Sequence, residues 1–245
     1  MVTKKEKLTK ELKAFEKVWH GGYYTGYSDK RNQKGVEEYL KNNLKGDVLL
    51  EIGCGGGQWT KFILKLGIFK KIICIDALSA EHNKFWENLG EEAKSTIEYH
   101  HIKNFKLTDI EDESLDFVFS YDVFCHISFS GTEEYVKSLY PKCNNGCQLM
   151  IMYADPSKYL NSEPENRNHV IKYLPNKKLT YRFSNRRLIK DALEDSDGLQ
   201  SNIEPRWYWI GIETFRKLIN QNKYKIINID LNIDKTNPIT LFQKL

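Results

Sequence analysis

The feature that most constrains this chain is an apolar run with an acid near its end, followed at once by closely spaced glycines. The run is Val48–Ile52, glycines follow at positions 53, 55 and 57, and a helix-like stretch begins at Thr60. Glycine lets the backbone come close to a ligand because it has no Cβ, and a helix start offers free N–H groups. The sequence therefore predicts a ligand-binding strand–turn–helix unit. The dinucleotide-binding pattern G-x-G-x-x-G does not fit, because position 58 is Gln.

A second short apolar run ends in Asp76, 25 positions after Glu51. In a doubly wound sheet, an acid at the end of the second strand lies beside the glycine turn of the first. There it can accept hydrogen bonds from both hydroxyls of a ribose. The alternative is an acid that only caps the next helix, although Ser79 is better placed for that. We expect Asp76 to bind a ribose. The chemistry alone would give Asp76 the same role with the ribose of NAD.

Counted from Glu51, the pattern is E-x-G-x-G-x-G. It resembles the first motif of the class I S-adenosylmethionine (SAM)-dependent methyltransferases, and the order of elements behind it agrees. The resemblance implies an α/β fold with a Rossmann-like, doubly wound seven-stranded sheet. This sheet is mostly parallel with an antiparallel last strand, and helices cover both faces. We expect a helical cap or flap over residues 1–45 and a methyltransferase domain over 46–245, whose insertion at 155–206 forms a substrate lid.

The alternation of strands and helices is consistent with parallel βαβ units. Two local predictions are specific enough to check. The apolar spacing predicts a helix over residues 81–94. Ser130-x-x-Glu133 predicts a capping box that opens a helix running through Tyr140.

The resemblance also assigns residues to the donor. Asn104 stands where the family more often has Asp, and its amide oxygen can still accept a hydrogen bond from the adenine amine. The residues expected to bind SAM are Glu51, Gly53, Cys54, Gly55, Gly57, Asp76, Ala77, Asn104, Phe105, Ser120 and Tyr121.

The segment after the fourth strand supplies the candidate base. His126 lies where the family places the donor and the acceptor, and imidazole is the side chain that takes up a proton near neutral pH. The alternative for His126 is a packing or helix-start histidine. Asp122, at the carboxyl end of the same strand, is the competing base.

Two segments are candidates for acceptor binding. Glycines interleaved with Tyr23, Tyr24 and Tyr27 suit a flap over a cleft, or a loop that its aromatic rings anchor to the core. Residues 172–190 hold seven basic side chains and no acid. Arg182 and Arg186 could there bind an anionic acceptor, and the alternative is a solvated basic face.

Composition excludes several classes of protein. A net charge of +4 over 245 residues is too weak to indicate nucleic-acid binding. No apolar run approaches the ~20 residues of a membrane span, and the N-terminus lacks the apolar core of a secretory signal. The five cysteines show no metal-ligand spacing, so we expect no metal. A reducing cytoplasm is the expected location.

These observations predict a SAM-dependent methyltransferase that forms S-adenosylhomocysteine. The expected acceptor is a small molecule, most often methylated on a hydroxyl. Together, Phe124–Ser128, Arg206–Trp209 and the aromatic N-terminal flap resemble bacterial methyltransferases of the sugar and polysaccharide type, which implies a sugar or a nucleotide-linked sugar. The alternatives are a small-molecule N-methyltransferase and a SAM-binding module without catalysis. The Asn/Asp-Pro-Pro-Tyr/Phe motif of enzymes that methylate amino groups of DNA bases is absent.

Overall fold

The computed structural model describes residues 4–18, 30–162 and 208–245. Its strands are β1 Val48–Ile52, β2 Lys71–Asp76, β3 Ile97–His101, β4 Leu115–Ser120, β5 Cys143–Met152, β6 Tyr224–Asn228 and β7 Ile239–Lys244. Its α-helices are α1 Lys4–Val18, α2 Lys30–Asn43, α3 Gln58–Leu66, α4 Phe85–Leu89, α5 Phe129–Lys142, α6 Pro156–Ser162 and α7 Ile212–Gln221.

The seven strands form one sheet in the order β3-β2-β1-β4-β5-β7-β6. Strands β1 to β5 pair in parallel, and β7 runs antiparallel to both of its neighbours. This confirms the predicted Rossmann-like sheet with an antiparallel last strand. Because β1 and β4 are adjacent, and β2 lies on the other side of β1, the carboxyl ends of these three strands meet at one edge of the sheet.

An apolar core covers each face of the sheet. On one face, α2, α3 and α4 contribute Val36, Leu40, Ile63 and Phe85. On the other face, α1, α5 and α7 contribute Leu12, Val136, Leu139 and Phe215. The described parts of the first 45 residues thus pack on opposite faces of the sheet, and the cap formed by residues 1–45 stays a prediction. Among the described residues, no helix has both the length and the apolar composition needed to cross a membrane.

Two local predictions were wrong. The expected helix over 81–94 is broken into α4 and a 3₁₀ turn at Glu91–Ser95, because Lys84 and Gly90 take positive φ values of 50° and 95°. The start of α5 was predicted at Ser130, but the cap is Ser128, whose Oγ accepts a hydrogen bond from the backbone N–H of Gly131 at 3.2 Å.

A carboxylate from the N-terminal helix explains why Ser128, rather than Ser130, caps α5. Glu11 of α1 accepts hydrogen bonds from both the backbone N–H and the Oγ of Ser128, each at 2.6 Å. Glu11 is buried, and its negative charge lies at the N-terminus of α5, where the helix dipole favours an anion. This interaction fastens α1 to α5, the helix that begins three residues after His126.

We expect Glu11→Ala to lower the free energy of unfolding by about 1.5–3 kcal/mol, the range for hydrogen bonds to charged groups. The loss arises because two donors of Ser128 would lose their common acceptor. Urea denaturation measures the change, and Lys10→Ala, on the exposed side of the same helix, is the control. Equal losses in the two variants would show that the Glu11 contact contributes nothing beyond helix packing.

Candidate active site

The glycine turn is fastened to the end of β2 by backbone bonds. The N–H of Gly53 donates to the carbonyl of Ile75 at 2.7 Å, and the N–H of Gly55 donates to Oδ2 of Asp76 at 2.9 Å. Oδ1 of Asp76 accepts a further bond from the N–H of Leu78 at 2.9 Å. Burial raises the pKa of Asp76, and these hydrogen bonds act in the opposite direction. Asp76 thus lies beside the glycine turn, as the sequence predicted.

The three glycines of the turn have different structural roles, although the sequence treats them alike. A Cβ on Gly53 would lie 2.3 Å from a methyl carbon of Val123, and one on Gly57 would lie 2.1 Å from Leu89. A Cβ on Gly55 would meet nothing within 4 Å. Gly53 and Gly57 are therefore required by packing within the protein. Gly55, at a positive φ of 51°, faces open space in which a ligand can approach the backbone.

Glu51 lies beneath this turn, on the face of the sheet covered by α3. Its Oε2 accepts a hydrogen bond from Oγ1 of Thr60 at 2.6 Å, and the sulfur of Cys74 lies 4.0 Å away. Burial raises the pKa of Glu51 to about 8, so the carboxyl is largely protonated at neutral pH. Cys54, which follows Gly53 in the turn, is buried as well.

Asn104, which was predicted to contact adenine, lies after β3, as does the predicted donor-binding residue Phe105, while Ala77 of the same set follows β2. The amide oxygen of Asn104 accepts a bond from the N–H of Lys106 at 2.8 Å, and its second lone pair stays available. Phe105 is buried and packs edge-on against Tyr135. Ala77 is half-buried, and its carbonyl lies 3.1 Å from the imidazole of His101. Asn104 lines a surface depression that Ile75 and Ile102 also line.

At the end of β4, two predicted donor-binding side chains bind within the protein. Ser120 donates its hydroxyl to the carbonyl of Ile52 at 3.1 Å, which ties β4 to β1. Tyr121 donates its hydroxyl to the buried carboxylate of Asp234 in the β6–β7 loop, and its ring packs against Trp59. A ligand here would therefore meet the backbone of these two residues. Sequence reasoning missed Asp234, which is 113 positions from its partner.

The two candidate bases lie in one turn. Asp122, at a positive φ of 60°, places its Oδ1 3.8 Å from Nε2 of His126. The side chain of His126 is 8% exposed and that of Asp122 is 48% exposed, so the aspartate is the member that solvent reaches. Cys125, to which the sequence assigned no role, donates a hydrogen bond from its thiol to the same Oδ1 at 3.4 Å. Burial first and the Asp122 charge second raise the pKa of the Cys125 thiol.

The ends of the expected insertion meet beside this turn. Asp155, which is buried, accepts a bond from the N–H of Lys158 on one oxygen and from the N–H of Ile212 on the other. The N–H of Tyr208 donates to the carbonyl of Cys125 at 2.7 Å. The remaining predicted acceptor residues lie outside the described residues. They are Tyr23, Tyr24, Tyr27, Arg182 and Arg186.

Comparison with known proteins finds similarity to methyltransferases. The family described as "Methyltransferase domain" matches residues 50–151. A 1,6-didemethyltoxoflavin-N1-methyltransferase from Burkholderia thailandensis, solved with S-adenosylhomocysteine, matches with a TM-score of 0.61 and 11% identity, covering 100% of this chain and 91% of its own. A SAM-dependent methyltransferase from Mesorhizobium loti matches with a TM-score of 0.58 and 10% identity, covering 88% and 99%. At these identities the likeness concerns the fold. Comparison with curated proteins gives no match.

The raised pKa of Glu51 predicts how stability depends on pH. The folded protein holds a proton up to about pH 8, whereas the unfolded chain releases it near 4.5. The free energy of unfolding should therefore fall by about 1.4 kcal/mol per pH unit between these values from this group alone.

Urea unfolding at pH 5.5, 6.5 and 7.5 measures this dependence. Glu51→Gln should remove the one-proton slope, whereas Glu87→Gln, an exposed glutamate, should leave it unchanged. An identical slope in the wild type and in Glu51→Gln would contradict the protonated state of Glu51.

Proposed function

We propose that this chain is a class I SAM-dependent methyltransferase that transfers the methyl group to a hydroxyl of a small-molecule acceptor, at the edge where β1, β2 and β4 end. The observation that carries this proposal is the pairing of an open Gly55 and the Asp76 carboxylate with Asp122 and His126 at the end of the strand next to β1. The first pair suits binding of the donor, and the second suits removal of a proton.

The residues present fit the donor. Asp76 already accepts two backbone N–H bonds, and a carboxylate has further lone pairs that can accept bonds from ribose hydroxyls. The open space at Gly55 lets the backbone approach the ligand, because a side chain would otherwise fill it. When bound, SAM supplies an electrophilic methyl group and leaves as S-adenosylhomocysteine.

The protein's part in the reaction is to orient the acceptor and take one proton from it. The acceptor oxygen forms the new C–O bond while its proton passes to His126 or to Asp122. Asp122 can also orient the imidazole, because its Oδ1 lies on the Nε2 side of the ring. The burial of His126 keeps water away from this step. Positioning of the two reactants supplies the rest of the acceleration.

For the acceptor we propose a sugar or a nucleotide-linked sugar that carries negative charge. The support is the basic run at 172–190 in the sequence, together with the place where the chain enters and leaves that segment, at Asp155 and Tyr208 beside the Asp122 turn. Assay of the wild type with neutral and phosphorylated sugars tests this choice. Faster turnover of neutral sugars would contradict it.

N-methylation of a small molecule is the second candidate. The relative from Burkholderia thailandensis is named as an N1-methyltransferase, so the same fold serves transfer to nitrogen. The two candidates differ in their need for a base, because a neutral amine can attack before it loses its proton and a hydroxyl is a weak nucleophile until it loses one.

Two glycines offer a matched test of donor binding. Gly55 and Gly67 both have positive φ, 51° and 64°, and a Cβ at either would meet nothing within 4 Å. Gly55→Ala and Gly67→Ala should therefore lose similar stability, about 1 kcal/mol. Only Gly55→Ala should weaken SAM binding in calorimetry, because Gly67 caps the far end of α3. Unchanged SAM affinity in Gly55→Ala would contradict the proposed donor site.

The base is tested by isosteric substitution. His126→Gln should lower turnover on a hydroxyl acceptor by about 10²–10⁴-fold, the usual contribution of general base catalysis, with SAM affinity unchanged. Asp122→Asn should show this loss instead if Asp122 is the base. Full activity in both variants would leave positioning as the main catalytic device and would contradict a protein base.

A further inference from the structure

Three different metal-ligating side chains converge in the turn after β4. Asp122, Cys125 and His126 each offer one ligand atom, and these atoms all lie within 4.8 Å of one another. The sequence predicted no metal, because the cysteines alone show no metal-ligand spacing. The spacing that forms the cluster, D-x-x-C-H, is contained in five consecutive residues. The short 3₁₀ turn Phe124–His126 brings the three side chains to one side.

The distances within the cluster suit a small thiophilic cation. The carboxylate oxygen lies 3.4 Å from the sulfur and 3.8 Å from the imidazole nitrogen, and the sulfur and nitrogen are no more than 4.8 Å apart. A point equidistant from three atoms so spaced lies no more than about 2.4 Å from each. Zinc is bound at about 2.0–2.3 Å by oxygen, nitrogen and sulfur, so movements of a few tenths of an ångström would complete the coordination.

The surroundings favour a cation over other ligands. The Asp122 carboxylate accepts a hydrogen bond from the Cys125 thiol at 3.4 Å, so the sulfur lies beside a negative charge. Cys125 and His126 are buried, whereas nearly half of the Asp122 side chain is exposed. A metal here would have three protein ligands and one position open on the Asp122 side, which is the arrangement of reactive rather than structural zinc sites.

We propose that Asp122, Cys125 and His126 form a binding site for one Zn²⁺ ion. Binding exchanges the thiol proton for the metal, so that Cys125 coordinates as a thiolate and one proton is released to solvent. Among the described residues, no fourth His, Cys, Asp or Glu side chain joins these three. Water or the acceptor would therefore take the fourth coordination position. This arrangement is independent of methyl transfer and can be measured without it.

The site has a consequence that rests on the proposed function. A nitrogen or oxygen that coordinates zinc cannot take a proton from an acceptor hydroxyl. Zinc binding therefore competes with base catalysis for His126 and Asp122, and a zinc-loaded protein should turn over a hydroxyl acceptor as slowly as His126→Gln. SAM binding, which uses Gly55 and Asp76, should not change.

Titration of the full chain with Zn²⁺ in a calorimeter, and with Co²⁺ in a spectrophotometer, tests the site. We expect one ion per chain and, with Co²⁺, a thiolate-to-metal charge-transfer band in the near ultraviolet. Cys125→Ser should remove the band, and both Cys125→Ser and Asp122→Asn should weaken zinc binding by more than about 100-fold, since loss of outer contacts alone costs 10–100-fold.

Two variants serve as controls. Cys147→Ser removes a different buried cysteine and His101→Gln an exposed histidine, and both should bind zinc as the wild type does. Thermal melting of each variant without metal separates lost ligands from lost folding. Failure to bind one ion, or equal affinity in the wild type and in Asp122→Asn, would overturn the site.

Activity is the last measurement. Turnover should fall as one equivalent of zinc binds and should return on chelation. Undiminished turnover with zinc bound would overturn the competition but would leave the binding site itself supported by calorimetry. A protein that binds zinc but shows no turnover in the absence of metal would count against the proposed function, not against the site.

Discussion

The hydrogen bond from the N–H of Gly55 to the carboxylate of Asp76 joins the turn after β1 to the end of β2, at the sheet edge where β1, β2 and β4 end. A buried carboxylate must be matched by hydrogen-bond donors, and Asp76 finds two of them in the backbone on either side of the strand ends. The turn after β1 must therefore pass over the end of β2, which the bond from Gly53 to Ile75 reinforces. The positive φ of Gly55 and the open space above it follow from this arrangement.

Sequence reasoning succeeded where the signals are local. Each of these signals lies in a short window: Glu51 near the end of β1, Asp76 at the end of β2, the glycines between β1 and α3, and the strand–helix alternation. Together they carry the resemblance that implied a Rossmann-like seven-stranded sheet, and the observed sheet confirms it. The same resemblance implied the antiparallel last strand, which the structure also confirms.

It failed where the deciding partner is distant or where backbone conformation intervenes. Ser128 rather than Ser130 caps α5, because its side chain and N–H also bind Glu11, 117 positions earlier. The helix over 81–94 has a suitable apolar pattern, but two positive φ values interrupt it. Tyr121 is directed to Asp234 by a loop whose position no local pattern indicates. The Asp122–Cys125–His126 cluster differs from these cases, because its three residues lie within five positions of the sequence. The pattern was therefore local, but the mixed set of ligand types did not match the cysteine spacing that predicts a metal site.

Asp155 has a consequence for how this chain could vary. One carboxylate accepts the N–H of Lys158 as the chain departs from the sheet and the N–H of Ile212 as it returns. The core therefore holds both ends of the intervening segment at a fixed separation, whatever lies between them. The entropic cost of joining two fixed anchors by a flexible segment grows only with the logarithm of the segment's length, about 0.6 kcal/mol for each doubling. Under the proposed function, in which this segment meets the acceptor, its length and sequence could change at little thermodynamic cost, so that acceptor preference could diverge while the turn at Gly55 and Asp76 stays constant.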